Sequence, residues 1–373
     1  DVSECLRTVF GHTGFRDGQA KVTSLLLARQ SCAAVFPTGL GKSLCYQLPA
    51  VLLARRGLGM TLVVSPLVAL MKDQVEALQA RGVACARLDG TLDAEQVQDT
   101  LKAAHSGDLA LLYVSPERFN NERFLRMLSK SPVAVFVVDE AHCISEWGHN
   151  FRPDYLRLSE FARAAGAPLR LALTATATPK VAADMAERLA IPPDNVVRLL
   201  SHRPNLRLLS VLAPDGPEER FAFLAQRLRL PDRPQRPILV YVTLQATAEA
   251  AAAALVAEGF ETRAYHAGMA AADREDVQNW FMQPRADGAQ PVVVGTLAFG
   301  MGIDKSDIGG VYHLNLPRSL EEYAQGVGRS GRDGRPAVCE ALVSPADVPI
   351  LKALVYGNMP SPAAVAGLLE AVF

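Results

Sequence analysis

The chain has 373 residues, enough for two domains or three, because a single hydrophobic core stops growing well below that size. Hydrophobic residues make up 49% and charged residues 21%, which excludes a disordered or collagen-like chain. Lysine and arginine total 38 against 39 aspartate and glutamate, a formal charge of -1; this excludes a strongly basic whole domain but leaves room for a local basic groove.

The six cysteines, Cys5, Cys32, Cys45, Cys85, Cys143 and Cys339, stand singly, with no C-x-x-C pair and no cysteine/histidine cluster at metal spacing. Buried free thiols are expected, with no disulfide framework and no zinc. No apolar run approaches the roughly 18–20 residues of a membrane span, and the start Asp1-Val2-Ser3-Glu4 is unlike a signal peptide. A cytoplasmic protein without membrane contact is expected. The chain does not begin with Met, and trimming at either end is expected.

In chain order, short apolar, β-branched runs are expected as strands at 32–36, 61–65, 110–114, 133–139 and 169–174. Helical periodicity fills 44–53 and 66–81, the latter with Ser65 as N-cap and Pro66 at the first helical position. Proline-rich segments at Pro204, 214–217 and 231–237 accompany the start of a second block of strands, so a domain boundary is placed near residue 203. The strands of this block are expected at 238–243, 292–296, 311–314 and 338–343, with a helix at 246–258 and a capping box from Ser319 to Glu322. Two tail helices, around 346–355 and 361–372, are expected to pack on the second domain through Leu351, Leu354, Leu368 and Leu369. Strands this short and continuously apolar suit sheets covered on both faces, and their alternation with helices implies α/β units with parallel strands. The expected domains are 1–203 and 204–345, followed by a helical tail at 346–373.

The run 32–36 leads into Pro37-Thr38-Gly39-Leu40-Gly41-Lys42-Ser43 and then a helix. Glycines let backbone N–H groups converge on phosphate oxygens, and the helix N-terminus adds partial positive charge. Lys42 is expected at the β- and γ-phosphates of ATP and the Ser43 hydroxyl on Mg²⁺. The usual pattern has Gly where this chain has Phe36. About a hundred residues on, the run 133–138 ends in Asp139-Glu140-Ala141-His142. Carboxylates at the carboxyl end of a strand sit where open α/β sheets bind ligands. Asp139 is expected to hold Mg²⁺ through water and Glu140 to act as base for the attacking water.

In the second half, Gln325-Gly326-Val327-Gly328-Arg329-Ser330-Gly331-Arg332 puts two arginines three apart among glycines. One is available to the γ-phosphate and one as an arginine finger. The same stretch matches G-x-G-x-x-G, but the dinucleotide fingerprint needs a strand before it, and residues 320–324 read as helix.

Together these motifs resemble the RecQ helicases of superfamily 2 over essentially the whole chain. The resemblance implies two tandem RecA-like domains, each a mostly parallel sheet with helices on both faces. It implies that the segment Leu6 to Gln19 reads adenine through Arg16 and Gln19, with His12 where relatives carry an aromatic ring, and that Pro37–Ser43 and Asp304 complete the ATP site. Val64-Ser65-Pro66-Leu67 and Ser115-Pro116-Glu117-Arg118 resemble segments that hold strand phosphates. Ala141 to Tyr155 looks like the aromatic-rich loop that couples strand binding to hydrolysis, through His142, Trp147, His149, Phe151 and Arg152; Glu146 and Asn150 stand where relatives have Gln and Asp. Bases can stack on Trp147 and Phe151, with Arg152 beside them. Thr174 and Thr176 resemble the segment that transmits between nucleotide and strand. Thr243, His266, Gly268, Met269 and Thr296 fall in segments implied to contact DNA, although 241–245 lacks the usual Cys-x-Ser-Arg. Gln325, Arg329 and Arg332 join Lys42, Asp139 and Glu140 as implied catalytic residues.

The resemblance implies an ATP- and Mg²⁺-dependent DNA helicase moving 3′ to 5′ in recombination and repair. Its implied partners are single-stranded and duplex DNA and a single-strand DNA-binding protein; a monomer is expected, nucleoid-associated in a bacterium. Relatives continue into a zinc module and a winged helix, of which this chain contains no cysteine cluster. An RNA helicase, or a DNA-stimulated ATPase that anneals strands without unwinding, are the alternatives.

Overall fold

The computed structural model describes residues 1–145, 153–199, 203–284, 290–297, 299, 305–357 and 362–372. They form two compact units, one from residues 1–202 and one from most of 203–373. In the first, strands β1 (Cys32–Val35), β2 (Met60–Val64), β3 (Cys85–Leu88), β4 (Leu111–Val114), β5 (Val133–Val138), β6 (Leu169–Thr174) and β7 (Val196–Arg198) make one sheet in the order β3-β4-β2-β5-β6-β1-β7. In the second, β8 (Leu206–Leu212), β9 (Ile238–Tyr241), β10 (Thr262–Tyr265), β11 (Val292–Gly295), β12 (Gly310–His313) and β13 (Ala337–Val343) pair in the order β10-β11-β9-β12-β13-β8. Every described pairing is parallel.

Alternation along each strand builds a core on each side of the first sheet. Cys32 and Ala34 of β1 and Val63 of β2 join a cluster with helices Gln19–Leu27, Leu44–Arg55 and Val68–Gln79. Ala33 and Val35 of β1 and Leu62 and Val64 of β2 face the other way, onto helices Ala94–Ser106 and Pro179–Arg188. Phe36, where glycine is usual, is fully buried, and its ring occupies the space any side chain at Gly18 would need. In the second unit, Ile238, Val240, Val292 and Val294 pack against helices Pro217–Leu228 and Gln245–Ala257. All six cysteines are buried free thiols. No described helix is long and apolar enough to cross a membrane.

Three expectations are corrected. The helix expected at 66–81 begins at Val68, and Ser65 does not cap it, because its hydroxyl donates to Asp139 instead. Ser319 does cap helix Leu320–Val327 by accepting the Glu322 N–H, but Glu322 completes no box: its carboxylate takes the Arg318 N–H and Nε. Three of the four tail leucines do not pack as expected, since Leu354, Leu368 and Leu369 are 47%, 65% and 52% exposed, while Leu351 is half-buried.

Charge, not leucine packing, ties down the first tail helix. Arg220 forks onto both carboxylate oxygens of Asp347 at 2.8 and 2.7 Å and also donates to the Leu342 carbonyl. Asn315 Nδ2 and the Leu316 N–H complete the donors to Asp347, and both charged residues are buried. Removing one partner strands the other charge in a dry site. Asp347→Ala should therefore destabilise the second unit by about 3–5 kcal/mol in urea unfolding, and Arg220→Met/Asp347→Leu should recover much of that loss.

Candidate active site

In the first unit, the carboxyl ends of five strands, β1, β2, β4, β5 and β6, converge. The Phe36 N–H bonds the Thr174 carbonyl, the Asp139 N–H bonds the Val64 carbonyl, and the Ser65 N–H bonds the Val114 carbonyl. The loop after β1 therefore stands beside the end of β6, with the acid pair after β5 next along the sheet. This is where a doubly wound sheet opens a crevice at its carboxyl edge.

The loop runs directly into helix Leu44–Arg55, whose first turn is closed by Leu44, Cys45 and Tyr46 bonding back to Gly41, Lys42 and Ser43. Lys42 Nζ donates to the Phe36 carbonyl at 3.2 Å, which lays the ammonium across the loop. Arg16 and Gln19 hold the loop from outside. Arg16 donates to the Gly39 carbonyl at 2.7 Å; Gln19, buried, donates to the Leu40 and Gly41 carbonyls and accepts the Arg16 N–H. Thus the two residues expected at adenine brace the phosphate loop here, and His12 is exposed.

Asp139 receives the Ser65 hydroxyl and the Glu140 N–H. Burial, reinforced by the neighbouring Glu140 carboxylate, pushes Asp139 up to about 7, against the pull of Lys42 and of these two hydrogen bonds. Glu140 sits in the left-handed region at φ 49°, a conformation that costs a non-glycine residue about 1 kcal/mol or more. That turn brings its Oε2 to 3.4 Å from His142 Nδ1, and this buried oxygen has no hydrogen-bond donor. His142 Nδ1 lies 2.9 Å from Thr174 Oγ1. Thr174 Oγ1 donates to the Thr176 carbonyl at 3.0 Å and accepts the Thr176 N–H at 3.3 Å. Acid pair, imidazole and threonines thus form one connected set. Trp147, His149, Phe151 and Arg152 of the aromatic-rich loop lie outside the described residues, as does Asp304.

No group of three His, Cys, Asp or Glu side chains gathers at metal spacing among the described residues. Nucleotide-bound Mg²⁺ needs none, since it keeps several waters and takes one or two protein oxygens. Ser43 and Asp139, both beside Tyr46, fit that donor set, next to the undonated Glu140 oxygen.

The residues expected at strand phosphates vary in access. Ser115 and Pro116 are buried, Glu117 is exposed, and Pro66 and Leu67 form the half-buried turn before helix Val68–Gln79. In the second unit, the Thr243 N–H bonds Asn315 Oδ1, His266 Nε2 meets Glu249 at 3.0 Å, the His266 N–H reaches Met269 Sδ, and the Thr296 N–H bonds the Tyr265 carbonyl. These lie just beyond β9, β10 and β11, adjacent in the sheet, and a side chain at Gly268 would collide with Gln245.

Helix Leu320–Val327 ends in the arginine loop, with Gln325 half-buried at its last turn and Arg329 buried. Burial pushes the Tyr241 phenol up, and Arg329 and Arg332 beside it pull it back. Between Tyr241 and Tyr323 lies His313, 5.4 and 5.1 Å from their ring centres, with neither ring nitrogen hydrogen-bonded. Gly326 is required there, since a Cβ would come within 2.8 Å of His313 Nε2. Sequence reasoning passed over His313, which reads as one more residue of an apolar strand.

Two parallel-sheet units, one with a glycine-rich loop beside an acid pair and one with an arginine loop, define the class of tandem α/β helicase folds. Residues 16–185 match the DEAD/DEAH box helicase family and 219–334 the helicase conserved C-terminal domain. The chain is 40% identical over 361 residues to "ATP-dependent DNA helicase RecQ" of Haemophilus influenzae, covering 96% of this chain and 55% of the relative. It is 39% identical over 351 residues to "Probable ATP-dependent DNA helicase RecS" of Bacillus subtilis, covering 93% and 67%. With human "ATP-dependent DNA helicase Q4" it shares 38% over 382 residues, covering 97% and 31%. The chain belongs to the RecQ family. It spans about half the length of the curated relatives it matches. In fold it is similar to Saccharomyces cerevisiae Dbp5 bound to RNA and ADP BeF3 (TM-score 0.71, 18% identity, covering 96% of this chain and 92% of that one) and to the DUF1998 helicase MrfA bound to DNA (TM-score 0.71, 17% identity, covering 96% and 51%).

Burial pushes His313 down to about 4 from an ordinary value near 6.5. A depressed histidine leaves stability whole above the unfolded value and removes it as pH falls toward the folded one. The second unit should therefore lose stability between pH 6.5 and 4, and His313→Phe should flatten that slope in urea midpoints; equal slopes in both proteins would refute the burial argument.

Proposed function

We propose that this chain is the motor core of an ATP-dependent DNA helicase that moves 3′ to 5′ along one strand and opens duplexes during recombination and repair. The observation that carries the reading is the connected set Asp139, Glu140, His142 and Thr174 at neighbouring strand ends, beside the loop whose carbonyl holds Lys42. The names of the RecQ and RecS relatives support it.

In this reading Lys42 and the loop amides bind the β- and γ-phosphates, and Glu140 Oε2 accepts the proton of the attacking water. Mg²⁺ held by Ser43 and, through water, by Asp139 would neutralise phosphate charge. Arg329 and Arg332 answer the charge that develops on the γ-phosphate, with Gln325 beside them. Arg16 and Gln19 exchange loop carbonyls for the adenine edge once nucleotide binds. His142 passes the state of Glu140 to Thr174 and Thr176. Strand contacts are assigned to Ser65, Pro66, Leu67, Ser115, Pro116, Glu117, Thr243, His266, Gly268, Met269 and Thr296, and to Trp147, Phe151 and Arg152. Such contacts go mainly to phosphate and sugar, so no base-sequence preference is expected. A single-strand DNA-binding protein is a candidate partner, the working unit is a monomer, and in a bacterium the place of action is the nucleoid.

On a forked DNA duplex, Lys42→Ala and Glu140→Gln should each lower ATP-driven unwinding by about a hundredfold or more, since general-base assistance alone carries that much. Unwinding retained by either variant would end the assignment. Stronger ATPase stimulation by RNA than by single-stranded DNA of equal length would favour an RNA helicase. Annealing with hydrolysis but no unwinding would favour a strand-annealing protein.

A further inference from the structure

The arginine loop of the second unit is held by two side chains that none of the helicase segments named above contains. The chain enters this unit at Arg203. Arg203 Nη1 donates to the Gly328 carbonyl at 3.1 Å, and Nη2 donates to the Gly331 carbonyl at 2.5 Å. Asn205 Nδ2 also donates to Gly331, at 2.8 Å, and to the Arg335 carbonyl at 3.0 Å. The Asn205 carbonyl in turn accepts the Ala337 N–H at the start of β13. Gly331 has φ +53°, and a Cβ there would lie 2.6 Å from Asn205 Nδ2, so glycine leaves the room that the asparagine fills. The Gly328 carbonyl immediately precedes Arg329, and the Gly331 carbonyl immediately precedes Arg332.

A planar guanidinium offers donors in a rigid fork and can serve two carbonyls at once, which a lysine ammonium on its flexible stem does not reproduce. Charge-assisted bonds of this kind are stronger than neutral ones. We propose that Arg203 and Asn205, at the start of the second unit, are positioning residues for Arg329 and Arg332. The proposal rests on the reading that these arginines act on the γ-phosphate.

The test is steady-state ATP hydrolysis at saturating single-stranded DNA by wild type, Arg203→Gln, Arg203→Lys, Asn205→Ala, Arg332→Ala and the double variant Arg203→Gln/Arg332→Ala. It is paired with amide hydrogen exchange of residues 328–335. Arg203→Gln should lower kcat about tenfold or more with KM for ATP unchanged, Arg203→Lys should not restore it, and the double variant should be no worse than Arg332→Ala alone. Exchange at 328–335 should quicken while β9 and β12 stay protected. An unchanged kcat, a fully additive double variant or unchanged exchange each overturns the proposal. If Arg203→Gln does not fold, Asn205→Ala carries the same comparisons. If wild type hydrolyses no ATP, the proposed function falls, and the exchange comparison alone decides whether the clamp exists.

Discussion

Asp139 and Glu140 place two carboxylates on consecutive residues at the end of a strand buried along its whole length, and the rest of the first unit is arranged around that repulsion. Like charges in a poorly hydrated site favour a proton on one of them unless a cation is supplied. The supply here is partial. Lys42 contributes from a distance, Ser65 and a backbone N–H contribute hydrogen bonds, and one Glu140 oxygen is left without a donor. The pair therefore keeps an unmet demand for positive charge. The left-handed turn at Glu140 belongs to the same design, because an extended residue there would carry the carboxylate away from His142.

What was legible in the sequence follows from how each feature is encoded. Strands buried on both faces, such as β5 with Val133 to Val138, read as unbroken apolar runs. The edge strands β3, β10 and β8 did not, because β3 and β10 interleave Arg87 and Arg263 and β8 alternates half-buried with exposed positions. The phosphate loop was legible because its chemistry needs neighbouring residues. The Arg203 clamp was not, because it joins residues 128 apart and its acceptors are carbonyls, which every residue owns. Ser65 shows the opposite error: serine before proline is a good cap signal, and a buried carboxylate outbid it for the hydroxyl.

The formal charge of -1 also gains a physical account. In the second unit Arg220 is consumed by Asp347, while Arg227 and Arg233 share Glu340. Part of the basic content of this unit is thus internal fastening between helices and sheet. Net charge is therefore a poor guide to the charge presented at any one face.

Thr174 carries a consequence of its own. A hydroxyl has a single hydrogen, so it cannot donate to the Thr176 carbonyl and to an unprotonated Nδ1 of His142 at the same time. Donation to the carbonyl and donation to the imidazole are therefore alternatives. One side chain thus offers a single donor to two neighbours, the Thr176 backbone and the His142 ring, and only one of them can hold it at a time.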